Sequence, residues 1–466
     1  MGSGTSFAAG RRRFAAGRRS FAATVRGHAT IGTLIFVALV ARVGYVLDTW
    51  KFIPHNDPQV YDWLGKGLAN GHGWVMGSSA YRPPAYPFYL AFIYKVIGVP
   101  QASYNLVTTR FGGWTGVRLV EALVAVVTVL LLAWLAEQLA GRTVALVALA
   151  VGAVYLPLIM VGVSLMTESL LVPLVLGAVN FAVRARTAER PTRWILLAGL
   201  FSGLAALTRG NGIVVGIGLA FLVWTGRPIW ARRSLARPLL LLAVTAVTIM
   251  PWTIRNAIAQ HQFVPVTTEL GATLTGTYNH VAAKHHYQWE AGHRFNDYRA
   301  IRRNKELTEA QRSDQLVSAV FGYIGKHPTA VPATMFWNTV RLFDLQNRFT
   351  SRQSAHTDVY ASKNAADLGV YSFWLVGLLA IAGLFTKAAR KIPRVLWVIP
   401  FLLWLSEAPI TTGTPRFRAV LDPFFILLAG CALVSLARRA ARLPISRRGS
   451  SARHLGSTES QDPAHA

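Results

Sequence analysis

Cysteine is almost missing from this chain: Cys431 is the only one in 466 residues. One thiol cannot form an internal disulfide, and there is no CxxC pair to hold a structural zinc. Cys431 lies in an apolar run and reads as a small packed residue. Acids are scarce as well, with 20 Asp plus Glu against 48 Lys plus Arg and a formal net charge of +28. There is no Walker A motif, and the glycine-rich patches lie in apolar runs, so no nucleotide site is signalled. No HExxH occurs, and the histidines His280, His285, His286 and His293 lack the spacing of a helix-borne zinc site. No small-residue cleavage site follows a short apolar region near the start, so the first residues do not read as a signal peptide.

What the chain has instead is apolar length. It is 53% hydrophobic with a mean hydropathy of +0.37, more apolar than a soluble globular protein needs. The apolar residues fall in runs of about 18 to 25, the length at which a helix spans a hydrocarbon core. Ten spans are expected, near 29–47, 116–140, 143–162, 165–183, 194–208, 211–226, 238–253, 369–386, 395–410 and 418–437. The fold class is therefore an all-α polytopic membrane protein. The apolar stretch 86–98 is short and reads as a re-entrant or interfacial helix.

Charge orients the spans. The N-terminal arm, "RARTAERPTR", "RPIWARRSLAR", "KAARKIPR" and "RRAARLPISRR" are rich in Arg or Lys, and ten spans put all five on one side. Basic loops face the cytoplasm, so both ends are expected inside and the first loop outside. The same bias accounts for the net charge without nucleic acid, which is not expected as a partner. The expected organisation is a basic tail 1–28 and a transmembrane core 29–253 with an outer loop 48–115. An extracytoplasmic segment 254–368, C-terminal spans 369–437 and a basic tail 438–466 follow. Phe7, Phe14 and Phe21 recur every seven residues among arginines, which fits either an interfacial helix or a disordered tail. The segment 254–368 is too long for a connector and reads as a small folded unit. Ala/Arg-rich composition suits a GC-rich bacterial genome, hence a plasma membrane.

Several polar residues stand at the outer ends of spans. Asp57 precedes Pro58, and the plain reading is a helix cap with proline in the first turn; the functional reading is a carboxylate aimed at a reacting hydroxyl. Arg82 sits in "YRPPAYP", either as an interfacial anchor or as a guanidinium presented to a phosphate. Glu168 at the start of a span is favoured by the helix dipole, or it faces the same cavity as Asp57. Arg209, Arg255, Arg416 and Arg418 each read alone as surface residues. Together they form a ring of cations where the positive-inside bias does not call for them, which suits an anionic lipid headgroup. Tyr61, Tyr81, Tyr86 and Asn256 are candidates to line the cavity. Arg42 lies inside the first span and should be paired or functional.

Taken in order, "YRPPAYPFYLAFIYKVIG", "SLMTESLL", "GLAALTRGNGIVV", "PWTIRNAIAQHQFVPVTT" and "TPRFRAVLDPFFILL", after Asp57, resemble a known family. They are similar to the polyprenyl-phosphate-dependent glycosyltransferases of the protein-mannosyltransferase and aminoarabinose-transferase type, over about residues 30–437. The resemblance implies the GT-C membrane fold and an acceptor-activating acid that falls on Asp57. It implies a second acid falling on Glu168, and a phosphate-binding cation, usually Lys, whose place Arg82 occupies. Where the mannosyltransferase branch often shows two adjacent acids, Asp57 is followed by Pro58, which argues against a direct protein O-mannosyltransferase. The implied donor is a polyprenyl-phosphate sugar lipid and the acceptor an extracytoplasmic hydroxyl. The sequence signals no certain cofactor and leaves a divalent metal open. The rival is a transporter or flippase, which would place ionisable residues midway through several spans and show repeat symmetry. A structural protein of the envelope is a third reading and would need neither Asp57 nor Arg82.

Overall fold

The computed structural model describes residues 29–99, 114–226, 228, 231–291, 297–410 and 413–441, apart from the side chains of 348–350 and 357–358. The basic N-terminal arm, the tail beyond 441, residues 100–113 of the first outer loop and His293 lie outside the described residues.

The described residues form helices and turns and no strand. From the N-terminus, α1 (Ala29–Asp48) leads through α2 (Asp57–Ala69) and α3 (Ala85–Ile97) to α4 (Trp114–Ala140). Then come α5 (Arg142–Val154), α6 (Leu156–Gly162), α7 (Thr167–Thr187), α8 (Thr192–Thr208), α9 (Ile213–Val223) and α10 (Arg232–Gln260). Six shorter helices follow: α11 (Glu269–Thr277), α12 (His280–Lys284), α13 (Arg299–Arg303), α14 (Glu309–Lys326), α15 (Ala330–Leu342) and α16 (Arg348–Val359). The chain closes with α17 (Lys363–Leu384), α18 (Val398–Glu407) and α19 (Asp422–Ala440).

Each of the ten apolar runs falls on a helix, but the helices differ in reach. Six of them, α1, α4, α7, α10, α17 and α19, are long and apolar enough to cross a membrane, and α5 with α6 makes a seventh as a pair bent by 62°. By contrast α8, α9 and α18 have 17, 11 and 10 residues. At 1.5 Å per residue the last two fall well short of a hydrocarbon core of about 30 Å. The ten runs expected from apolar length are all helical, and the shorter helices are compatible with that count without fixing it.

The bend has a local cause. Pro157 has no N–H, so the carbonyl of Ala153 four residues earlier loses its partner. Arg42 supplies one from α1: its Nη1 donates to Ala153 O at 3.1 Å and its Nη2 to Gly152 O at 3.2 Å. The intramembrane charge of the first span thus answers the orphaned carbonyls of a broken helix. Arg118 on α4 does comparable work, donating to Val163 O, Thr49 O and Thr49 Oγ1 at 2.7–2.8 Å.

One apolar core runs through α4–α9 and α17–α19. Small residues let its helices approach closely. A Cβ on Gly199 would stand 2.8 Å from Leu241 O, and one on Gly203 would stand 2.5 Å from Thr248 Cβ. This Gly-x-x-x-Gly pair seats α8 on α10, as small-residue stripes do where lipid offers no hydrophobic drive. Between α10 and α17, a second apolar cluster gathers Tyr278, Tyr298, Leu316, Val320 and Ala330 of α11–α15 and their connections. Gly203→Val should cost about 1–3 kcal/mol by overpacking and lower the melting temperature in detergent. Gly377→Ala, where the added Cβ meets nothing within 4 Å, should leave it unchanged.

Candidate functional site

The site is assembled from segments far apart in the chain. Asp57 opens α2, and the residue before it, Asn56, has a φ of 56°. The sequence suggested Asp57 as the helix cap; the cap position belongs to Asn56, and no side chain caps this helix. Asp57 is the first helical residue, where the dipole favours an anion, and its carboxylate is turned away to meet two guanidinium groups. Arg82 Nη2 donates to Asp57 Oδ1 at 2.6 Å, and Arg416 Nη2 donates to Asp57 Oδ2 at 2.8 Å. Burial works against the charged form of Asp57, but Arg416 and Arg82 outweigh it and hold the carboxyl well below the usual carboxylate range.

Arg82 carries a second acid that the sequence did not single out. Its Nη1 donates to Glu269 Oε1 at 3.0 Å, so one guanidinium bridges Asp57 and Glu269. Burial raises the pKa of Glu269 against the pull of Arg82. Two tyrosine rings flank Arg82: its guanidinium lies 5.3 Å from the ring centre of Tyr61 and 5.2 Å from that of Tyr81. Burial, with Glu269 nearby, pushes the Tyr81 phenol up to about 12. Tyr61 rests edge-on against Tyr86 at 5.2 Å. Tyr86 donates to buried Glu121 of α4 at 2.7 Å, and Glu121 also accepts from Ser169 Oγ and Leu165 N. Glu121 therefore ties α3, α4 and the start of α7 beneath Arg82.

The post-α10 segment is latched onto the first loop. Glu309, opening α14, accepts from Ser79 Oγ at 2.6 Å and Ala80 N at 2.9 Å. Thr268 N donates to Ala80 O at 3.1 Å, and Thr267 Oγ1 donates to Tyr81 O. Arg255 donates to Ser79 O at 2.9 Å and to Gly77 O. Asn256 is buried and donates to Val264 O and Val266 O at 3.3 and 3.1 Å. Both were expected at the ligand; in the structure Arg255 holds the backbone of the first loop, and Asn256 holds the backbone just before Thr267, Thr268 and Glu269.

A second ion network lies beside the first. Arg209 pairs with Glu168 and, at 3.1 Å, with Glu407, while Asn211 donates to Glu407 at 2.6 Å. Glu168 is 2% exposed. It does not share Asp57's guanidinium partners, and the two networks meet at Phe417. The guanidinium of Arg209 lies 3.8 Å, and that of Arg416 4.7 Å, from its ring centre. Arg418, expected at the phosphate, is buried on Asp344 at 2.8 Å and Asp422 at 3.0 Å, and it donates to Leu342 O at 2.8 Å. It fastens the 3-10 turn Pro415–Val420 to α15 and α19, and thereby fixes Arg416.

Glu269, Glu407, Glu121 and Glu309 escaped the sequence reading because acids outside the recognised motifs carry no local signal. Asp57, Glu269, Glu168 and Glu407 each meet a guanidinium, while Glu121 and Glu309 accept from hydroxyls and amides. Among the described residues no three His, Cys, Asp or Glu gather as a metal site. His280 pairs with Asp297, and the ring of His286 packs on Trp337 at 4.1 Å.

Comparison with known proteins supports the resemblance read in the sequence. The family of dolichyl-phosphate-mannose-protein mannosyltransferases matches residues 81–254. The oligosaccharyltransferase AglB of Archaeoglobus fulgidus, solved with an inhibitory peptide and a dolichol-phosphate, superposes with a TM-score of 0.52 at 14% identity. That match covers 91% of this chain and 52% of the other. The apo oligosaccharyltransferase of that organism gives 0.52 at 12% identity, covering 89% and 51%. ArnT of Cupriavidus metallidurans, bound to undecaprenyl phosphate, gives 0.40 at 14% identity, covering 90% and 79%. The fold is thus of the GT-C type, and the chain spans about half the length of the oligosaccharyltransferase. No curated protein matches the sequence.

The lowered pKa of Asp57 has a consequence for stability. Its ion pairs contribute fully above the ordinary carboxylate pKa of about 4 and are lost as pH falls through the lowered folded value. The melting-temperature gap between wild type and Asp57→Asn should be constant from about pH 6 to 8 and narrow below about pH 4. A gap that widens in acid would contradict the pairing.

Proposed function

We propose that this protein is a membrane glycosyltransferase that moves a sugar from a polyprenyl-phosphate donor to an acceptor hydroxyl on the extracytoplasmic face. One observation carries the reading. A mainly apolar cavity, walled by Pro157, Met160, Val161, Val359 and Val370, also has Arg416 in its lining, and Arg416 is the group that grips Asp57. An apolar wall, a cation and a carboxylate in sequence suit a ligand with an isoprenoid tail, an anionic phosphate and a sugar at the far end. The dolichol-phosphate in the archaeal oligosaccharyltransferase supports that ligand class, and the basic loops support the outward-facing site.

The proposed reaction is a single displacement, and the placement of Asp57, Arg82 and Arg416 supports it. The acceptor oxygen attacks the anomeric carbon, its proton passes to Asp57, and the bond from that carbon to the phosphate oxygen breaks with its electron pair. The polyprenyl phosphate leaves with added charge, which Arg82 and Arg416 stabilise. A single displacement inverts the anomeric centre. Proton acceptance of this kind contributes about 10²–10⁴-fold, and one preorganised donor about 10²–10³-fold. Arg209, Arg255 and Arg418 support the site through the pairs described above. The charges within helices are held by fixed partners: Arg42 and Arg118 by carbonyls, Glu121 by hydroxyls and an amide. That arrangement does not favour the transporter.

The test is transfer in proteoliposomes, using a panel of radiolabelled polyprenyl-phosphate sugars with cell-envelope extract as acceptor. Wild type should consume one donor. Asp57→Asn should lower the rate at least about 100-fold, and Arg416→Ala about 100- to 1,000-fold. Consumption of no donor, or an Asp57→Asn variant as active as wild type, would overturn the reading.

A further inference from the structure

The grip on Asp57 poses a problem for a proton acceptor. A base must be able to take a proton, and a carboxylate paired with two guanidinium groups is a weak one. Its two oxygens are each held by a different arginine, Oδ1 by Arg82 and Oδ2 by Arg416. Together these arginines form a fork around one singly charged group with two acceptor oxygens. A phosphodiester has the same charge and also offers two acceptor oxygens, and guanidinium groups bind both kinds of anion. The charges around Asp57 balance as they stand: Arg82 and Arg416 against Asp57 and Glu269, with Tyr61 and Tyr81 neutral. No unpaired cation is left among these four for a third anion, so an incoming phosphate must displace one that is present.

We infer that Asp57 occupies the place of the donor's phosphate between turnovers, and that a prenyl phosphate binds by taking Arg82 and Arg416 from it. This rests on the proposed donor class. Of the two carboxylates on Arg82, Asp57 is the one exchanged, because it alone also holds Arg416. Glu269 keeps Arg82 Nη1 and so keeps the guanidinium in position during the exchange. The displaced carboxylate loses both cations that depress its proton affinity and faces a phosphate anion instead. Asp57 becomes a competent base only once the donor is seated, so acceptor activation waits for donor binding. After transfer the returning Asp57 competes for the same fork and assists departure of the prenyl phosphate.

Occupancy of the fork by an internal competitor reduces apparent affinity by the fraction of time the fork is free. Removing the competitor should therefore tighten binding while abolishing transfer. The measurement is binding of radiolabelled undecaprenyl phosphate to the full chain in detergent, for wild type, Asp57→Asn and Glu269→Gln, each first shown to elute as a single folded species. Asp57→Asn should bind about tenfold more tightly or better, and Glu269→Gln, which leaves Arg416 held by Asp57, should gain clearly less than Asp57→Asn. Glu269→Gln removes the same charge from the same arginine, so equal tightening in both would mean general electrostatics and would overturn the exchange. Unchanged or weaker binding by Asp57→Asn, with wild type binding well, would overturn the exchange and leave the donor class standing. Binding by none of the three would overturn both. If Asp57→Asn does not fold, wild type suffices. Labelling of Asp57 by a hydrophobic carbodiimide, which needs the protonated acid, should rise several-fold on adding undecaprenyl phosphate. No rise would overturn the inference.

Discussion

The arrangement turns on one carboxylate shared by two arginines. Asp57 comes from the start of α2, Arg82 from the loop before α3 and Arg416 from the turn before α19. The pair of bonds therefore joins segments from the early and late parts of the chain at one end of the helices. Two like-charged guanidinium groups in a part-buried site would repel each other without the anion between them. The neighbouring architecture serves to hold these three groups. Glu121 supports Tyr86 and Tyr61 under Arg82, Arg418 fixes the turn that carries Arg416, and Phe417 separates Arg416 from the pair of Arg209 with Glu168.

Fold class and the candidate acid were legible in the sequence for different reasons. Apolar length marks helices in lipid because backbone groups must be satisfied within the segment, so each run found a helix. Apolar length did not show that α9 and α18 would be short, with 11 and 10 residues. Asp57, Arg82 and Arg416 were legible because short motifs in a fixed order carried them. The role of Asp57 as a cap was misread, since Asn56 adopts the capping position and leaves Asp57 free to turn inward.

Partners were not legible. Arg209, Arg255, Arg416 and Arg418 look alike in sequence, as basic residues at the ends of spans. In three dimensions Arg255 meets carbonyls, Arg209 and Arg418 meet buried acids, and Arg416 meets Asp57; Arg416 and Arg418 both reach the lining of the apolar cavity. What separates them is the acid or carbonyl across the fold, at separations of up to 359 positions for Arg416 and Asp57. Glu269 shows the same limit from the other side. It follows Thr267 and Thr268 in an unremarkable turn, and becomes part of the site because Asn256, Glu309 and Tyr81 hold that turn against the first loop.

The broken helix has one more consequence. Most of α1 faces outward, with 17% of its apolar window buried, and it could pass for a mere anchor. Yet Arg42 makes it a splint for the break between α5 and α6, where the carbonyls of Gly152 and Ala153 have no water to turn to in a hydrocarbon setting. The segment beyond the break supplies Pro157, Met160 and Val161 to the cavity wall. Damage at position 42 would therefore also be felt at that cavity, through the broken helix and through α1 itself, whose Tyr45 hydroxyl meets the carbonyl of Val359 in the cavity wall at 3.5 Å.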